Sequence, residues 1–331
     1  MHTNGKIKWG ILGTGWIADK FCTALTACED AEIYAVGSRT QETADQFAKR
    51  FSIPKAYPTY EALVSDPDVD VIYIATPHRL HYENALLCLQ HGKAVLNEKA
   101  FTVNAKQARE IKALAEEKNL FVMEAFWPRF QPVNREVYRL VNEDHLIGDI
   151  KMMKVDFVKV EDWPDEHRIY NINLAGGTML DLGIYVLSYT ARFLGADPSE
   201  VHSVASMGHT NVDDQTAILL KYPNNAIAIL AAALRTKGSD DAYIYGSKGY
   251  VHIPHFWGAE EATIYPEGAD PIHLQMPFIK NGYEYEAMEV MECLRAGKTQ
   301  SDIMPLDETV KLMEIMDSCR YSWNFKYPFE E

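Results

Sequence analysis

The sequence has 331 residues, 47% of them hydrophobic and 24% charged, an ordinary composition for a soluble globular chain of about two domains. Its formal net charge of −15 argues against nucleic acid or an anionic membrane as a partner. The five cysteines are odd in number and show no CxxC pairing, and no apolar run approaches the ~18 residues of a membrane span, so a reduced, cytoplasmic protein without structural zinc is expected.

The opening "MHTNGKIKWG" has no apolar stretch of the signal-peptide kind, so no export signal is expected. "KIKWGILGTG" then reads as a short apolar strand ending in glycines, and "WIADKFCTAL" as a helix. "AEIYAVGSRT" is a second strand and "QETADQFAKRF" a helix with one polar face. "VDVIYIATP" is the continuous apolar run of a strand covered on both faces. "HYENALLCLQHGK" is a helix stopped at Gly92, "AVLNEK" a strand, "NAKQAREIKALAEEKN" a helix and "LFVMEAF" a strand. This alternation predicts a parallel sheet with helices on both faces, a Rossmann-type α/β dinucleotide-binding domain over residues 1–124.

The pattern changes after about Trp127. "IKMMKVDFVKV", "DQTAILLKYP", "NAIAILAAALRT" and "YIYGSKGYVHIPH" read as longer strands, some joined by hairpin turns such as that at Pro223, Asn224 and Asn225. Only "GGTMLDLGIYVLSYTARFLG" and the segment from Tyr283 to Ala296 look helical there. An α+β domain with an open, mainly antiparallel sheet is expected over 125–305, for substrate and dimerisation. A C-terminal helix over 306–331 is expected to pack back at the domain junction. No repeat or long linker separates the domains, and a close junction is a common place for a ligand cleft.

"ILGTGWIA" places Gly13-x-Gly15-x-x-Ala18 directly after the first strand and at the start of a helix. In that context the pattern is strong: Gly13 allows the tight turn, Gly15 lets the backbone approach a pyrophosphate, and Ala18 keeps the helix close to the sheet. Thr14, Trp16 and Ile17 belong to the same cofactor-binding turn. An NAD site usually carries an acid at the end of the second strand, for the ribose 2′-OH. Here Ser38 and Arg39 stand there, a pair suited to a 2′-phosphate, so NADP(H) is favoured with NAD(H) as the alternative. Thr76, Pro77, His78 and His81 follow another strand end and are expected to line the same cofactor. His78 and His81 have the spacing of a metal pair, but nothing nearby completes a ligand set, and no metal is expected.

Glu98 and Lys99 also fall at a strand end. An ammonium there is poorly explained by packing; beside a nicotinamide it would hold a substrate oxygen and stabilise its developing charge, the plainer alternative being a surface ion pair. "GTGWIA", "SRT", "ATPHRLHYENAL", "NEKAF" and "AGGTMLDLGIYVL" together resemble the glucose–fructose oxidoreductase (Gfo/Idh/MocA) family over essentially the whole chain. "KAVLNEKAFTVNAKQAREI" and "FVMEAFWPRFQP" resemble the branch that holds dimeric dihydrodiol dehydrogenase and NADP-dependent D-xylose 1-dehydrogenase.

The resemblance implies an active-site role for Lys99, the lysine of the family's Glu-Lys-Pro motif, although Ala100 stands where the family has proline. It also implies catalytic roles for Asp181 and Tyr185 of "DLGIY", and a cofactor or substrate contact for Trp127, with Arg129 beside it. The implied chemistry is hydride transfer to or from a hydroxyl-bearing carbon of a sugar or cyclic diol. Tyr185 would exchange the hydroxyl proton, Lys99 hold the oxygen, and Asp181 orient the substrate or the lysine. Taken without the resemblance, Asp181 and Tyr185 could equally be the polar face of a helix. Phe157, Trp163, Trp257 and Tyr283 are candidate pocket aromatics. A homodimer or higher homo-oligomer through the second sheet is expected, because "AIAILAAAL" would leave apolar surface open in a monomer. The competing readings are an NAD-linked cyclitol or amino-sugar dehydrogenase and a non-catalytic NADP-binding sensor.

Overall fold

The computed structural model describes residues 5–330. The chain starts with β1 (Ile7–Leu12), α1 (Trp16–Leu25), β2 (Ala31–Gly37), α2 (Gln41–Phe51), β3 (Lys55–Tyr57) and α3 (Tyr60–Val64). It continues through β4 (Val71–Ile74), α4 (His81–Gln90), β5 (Ala94–Glu98), α5 (Ala105–Lys118) and β6 (Val122–Ala125). Local chemistry sets several of these starts. The side chains of Thr40, Thr59 and Asn104 each accept a backbone N–H from the first turn of α2, α3 and α5. Every side chain of β4 and β5 is buried, as the apolar runs required. The sheet is parallel, in the order β3-β2-β1-β4-β5-β6. Its order reverses between β1 and β4, which is where open α/β sheets bind ligands.

The second sheet is built from β7 (Ile150–Val158), β8 (Glu200–Met207), β9 (Asp213–Lys221), β10 (Ile227–Ala233), β11 (Ala242–Gly246), β12 (Gly249–Ile253), β13 (Glu261–Pro266) and β14 (Ile272–Gln275). Its order is β14-β13-β12-β11-β7-β10-β9-β8, antiparallel throughout except for the β7–β10 pair. Helix α6 (Pro132–Tyr138) precedes it, and α7 (Ile184–Leu194) lies between β7 and β8 in the chain. α7 is buried from Ile184 through Ala191 and packs on β7 and β10, where Met153, Val155, Ala228 and Leu230 form the core.

Two helices close the chain, α8 (Glu284–Arg295) and α9 (Leu306–Ser322). Contacts divide the protein into two compact units. The first holds the chain up to Trp127 together with Ile279–Val310; the second holds Pro128–Phe278 and the chain from Lys311 onward. This differs from the sequence expectation, which kept everything from 125 to 305 in the second domain. α8 joins the first unit because its segment is tied to it: Arg295 Nη1 meets Asp30 Oδ2 at 2.7 Å, Asn281 Nδ2 donates to Lys20 O at 2.9 Å, and Val122 N donates to Thr299 O at 3.1 Å.

Other elements also depart from the reading. α6 was not expected, yet Val133, Val137 and, in the turn that follows, Val141 are buried at a spacing of four behind Pro132 at the helix start. "YIYGSKGYVHIPH" is a hairpin, β11 and β12, rather than one long strand, with Gly249 at φ +147° after the turn. The short β3 and β8's weakly apolar alternation gave little to read. Among the described residues no helix is long and apolar enough to cross a membrane.

Candidate active site

In the first unit the glycine turn is shaped for an anion. Gly13 has φ +105°, and a Cβ there would come within 2.9 Å of Ala75 O. Gly15 caps α1 with no side-chain hydrogen bond, and a Cβ on it would meet nothing within 4 Å. No side chain caps the start of α1, and a helix start left uncapped by the protein suits a phosphate. Trp16 stands 70% exposed beside this turn, its ring 5.5 Å from Lys20 Nζ, and Ile17 is half-buried. These residues fit a dinucleotide pyrophosphate.

At the end of β2, Ser38 is buried and its hydroxyl is shared with Thr14 Oγ1 at 3.2 Å and Thr43 Oγ1 at 2.6 Å. Arg39 is exposed, and Gly37 ends the strand where an acid would read a ribose 2′-OH. At the end of β4, Thr76 and Pro77 lead into a 3₁₀ turn, His78–Leu80. His81 is fully buried, with Nδ1 2.8 Å from Ala100 O and Nε2 2.8 Å from Thr76 O. Both ring nitrogens face carbonyls, so the ring ties the turns after β4 and β5 together. His78 packs edge-on to His81 at 5.6 Å. Among the described residues no three His, Cys, Asp or Glu side chains are grouped to hold a metal ion.

The turn that carries Lys99 is fixed from behind. Glu98 Oε2 accepts from Lys99 N at 3.2 Å, and Tyr73 OH donates to Glu98 Oε1. Glu124 Oε1 accepts from Phe101 N at 3.0 Å, and Asn97 Nδ2 donates to Phe101 O at 2.6 Å. The Lys99–Ala100 peptide is cis. Lys99 itself is half-buried. Glu98 therefore serves inward, supporting the turn with Tyr73. Behind it lies Glu286 of α8, fully buried, both carboxyl oxygens without a hydrogen-bond partner among the described residues. Burial, with the Glu98 charge added, holds Glu286 well above the usual carboxylate range. Burial likewise raises the Tyr73 phenol well above its ordinary value. Trp127 and Tyr283 stack at 4.4 Å and 15°.

In the second unit Tyr185 lies in the first turn of α7, and Asp181 in the π-helical turn Met179–Gly183 that leads into it. Both are buried. Arg168 Nη1 donates to Asp181 Oδ1 at 3.0 Å, a partner the sequence did not single out. The Tyr185 ring meets Phe157 edge-on at 5.1 Å, and Phe157 stacks on Trp257 at 5.5 Å and 11°. Phe157, Trp257 and Tyr185 thus form one aromatic cluster, with Asp181 one turn earlier in the chain than Tyr185. Trp163 does not join Phe157 or Trp257: it is 51% exposed, stacks on His167 at 4.7 Å and donates to Glu161. Arg129 is buried, with Nη2 donating to Ser188 O at 2.7 Å, so its guanidinium braces α7.

This geometry can be set against known proteins. Residues 7–126 match the model of an oxidoreductase family with an NAD-binding Rossmann fold, and residues 135–252 match the GFO/IDH/MocA C-terminal domain. Trans-1,2-dihydrobenzene-1,2-diol dehydrogenase of Mus musculus is 36% identical over 97% of this chain and 98% of its own. The Homo sapiens enzyme of the same name is 35% identical with the same coverage. Among solved structures, a 3-ketoreductase from Actinomadura kijaniata in complex with NADP and TDP-benzene superposes with a TM-score of 0.86 at 25% identity, covering 96% of this chain and 98% of that one. An aldose-aldose oxidoreductase from Caulobacter crescentus shares the fold at a TM-score of 0.87 and 24% identity, over 96% of this chain and 98% of that one. A match in both halves, and relatives above 30% identity along almost the entire length, make this chain an oxidoreductase of the GFO/IDH/MocA family.

Proposed function

We propose that the protein is an NADP(H)-dependent dehydrogenase that acts at a hydroxyl-bearing ring carbon of a cyclic diol, with a sugar hydroxyl as the second reading. The observation that carries this is the aromatic setting of Tyr185: a phenol buried edge-on against Phe157, which stacks on Trp257. Such a surface suits the flat face of a ring, and the phenol supplies a proton-carrying group beside it. The Arg168–Asp181 pair adds a charged donor and acceptor for a second hydroxyl, which also accommodates a sugar. The mammalian relatives named as diol dehydrogenases, and the ketoreductase crystallised with NADP, support the same chemistry.

Bound NADP(H) would supply the hydride donor or acceptor. The uncapped first turn of α1 would hold its pyrophosphate, and Arg39 its 2′-phosphate. Lys99 then holds the substrate oxygen and stabilises its developing charge, while Tyr185 gives or takes the hydroxyl proton. Asp181, steadied by Arg168, orients the neighbouring hydroxyl. A net charge of −15 disfavours nucleic acid as a partner, and five free, buried cysteines fit a reducing, cytoplasmic setting. We assign the working state as a homodimer through the second sheet.

The test is absorbance at 340 nm with NADP⁺ or NAD⁺ and a panel of trans-cyclic diols, cyclitols and aldoses. A diol-dependent rise with NADP⁺, smaller with NAD⁺, is expected. Tight NADP binding by fluorescence with no turnover of any panel member would favour the sensor reading instead.

A further inference from the structure

The helix that carries Asp181 and Tyr185 has an unusual beginning. The first N–H groups of any helix lack partners inside it. Thr178 occupies the cap position here but makes no side-chain cap. Asp213, at the start of β9 and 34 residues further on, does this instead: its Oδ2 accepts from Met179 N at 2.6 Å. The turn is shaped around that carboxylate. Gly177 has φ +114°, and a Cβ on it would collide with Asp213 Oδ1. Asp213 is fully buried, and Oδ1 has no hydrogen-bond partner among the described residues.

A second hold comes from the end of the chain. Tyr327 OH donates to Gly176 O at 2.6 Å across 151 residues of sequence. Tyr327 is buried between Phe325, edge-on at 4.9 Å, and Phe329, stacked at 5.6 Å. Its own backbone N donates to Glu330 Oε2 at 2.9 Å. Glu330 is gripped by the fully buried Arg320, Nη1 to Oε2 at 2.7 Å, and Arg320 Nη2 also meets Asp317 Oδ1 at 2.7 Å. The C-terminal segment is thereby fixed to α9 by a buried ion cluster, and presents one phenol to the turn.

We propose that Asp213 and Tyr327 are positioning residues: together they clamp the Gly176–Met179 turn and so set where Asp181 and Tyr185 stand. The proposal rests on the oxidoreductase reading for what those two side chains do, and on geometry alone for the clamp. Catalytic groups tolerate little displacement; a shift of about 1 Å costs roughly 10²-fold in rate.

The clamp also carries a pH response. Burial pushes the Asp213 carboxyl up to about 7, opposed by the Met179 N–H bond and the Arg320 guanidinium and reinforced by Asp214. Tyr327 lies against the same carboxyl, and Arg320, Glu330 and Asp181 are the other charged groups that act on it. A released Asp213 would return toward its ordinary value of 3.8, so the clamped turn binds the proton more tightly than the opened one and holds more firmly below pH 7 than above it.

The experiment is amide exchange of the whole protein, without substrate or cofactor, read as protection factors for the peptide spanning residues 176–187 at pH 6 and pH 8. Wild type should be more protected at pH 6, and Asp213→Asn, which keeps an acceptor but cannot ionise, should show no such difference. Asp213→Ala and Tyr327→Phe should each lose about tenfold protection, the scale of one strong hydrogen bond. In single-turnover assays the same variants should lower kcat about tenfold or more with KM and NADP affinity within about twofold, and Asp213→Asn should remove an inflection near pH 7. Protection within twofold of wild type in Asp213→Asn at both pH values and in Tyr327→Phe overturns the proposal, even if Asp213→Ala fails to fold. A wild type that turns over no substrate sinks the dehydrogenase reading, and the exchange data then decide the clamp by themselves.

Discussion

At the scale of single residues, Arg39 is the proposed reader of the cofactor's 2′-phosphate. It follows a strand that ends in Gly37, and Ser38 beside it is already engaged with Thr14 and Thr43. Arg39→Ala should therefore weaken NADP(H) by about ten- to a hundredfold, the ~1.5–3 kcal/mol of a charge-assisted contact, and barely change NAD(H). Fluorescence titration of both cofactors reads this directly; a wild type with equal affinity for the two would contradict it. Gly13, Gly15, Arg39 and Lys99 could be singled out as candidates because phosphate turns and strand ends are written in consecutive residues. Arg168, Asp213 and Tyr327 were not, because each acts on a partner 13, 34 or 151 residues away. No spacing rule in a single sequence joins such pairs.

At the scale of elements, α8 shows why a local pattern can be read correctly and placed wrongly. Its helical periodicity was plain in the sequence, but its unit was not, since Arg295, Asn281 and Thr299 find their partners at Asp30, Lys20 and Val122. α8 brings Glu286 into the core behind Glu98 and Tyr73, with no hydrogen bond to either carboxyl oxygen among the described residues. A carboxyl raised in the folded state is bound to its proton more tightly there than in the unfolded chain. Its contribution to stability is thus full below the ordinary value of 4.5 and declines as pH rises toward the raised value. Glu286→Gln should remove that decline: its Tm should gain on wild type between pH 5 and pH 8 in thermal scans. Parallel Tm–pH curves for the two proteins would contradict the assignment. The other helix to test is α5, capped by Asn104 on Gln107 N at 3.1 Å. Asn104→Ala should cost about 1 kcal/mol, a fall of about 2–4 °C in Tm, with NADP affinity unchanged by titration.

At the scale of the whole molecule, the parallel sheet and the mainly antiparallel one were both visible in the sequence as a change of period after Trp127. The strand order was not, because the β7–β10 pairing joins segments far apart in the chain. Register shows what that order exposes. Tyr265, Tyr250, Tyr245, Met152 and Ile227 pair in turn across five strands on one face, and Ile229 pairs with Leu219 beside them. Leu219 and Val204 on this face are 49% and 69% exposed. A face of this kind is the surface a second copy would cover. Sedimentation at micromolar protein should give at least twice the 37.6 kDa of one chain, and Leu219→Glu should shift it to the monomer; a monomeric wild type would refute the dimer. The proposed roles of Lys99 and Tyr185 in hydride transfer are tested most directly by single-turnover kinetics on NADP-saturated variants. Lys99→Met and Tyr185→Phe should each bind NADP normally and react about 10²-fold or more slowly, with the double variant little worse than the slower single one. A Lys99→Met protein that transfers hydride as fast as wild type would contradict the account and leave Lys99 a structural ion-pair partner.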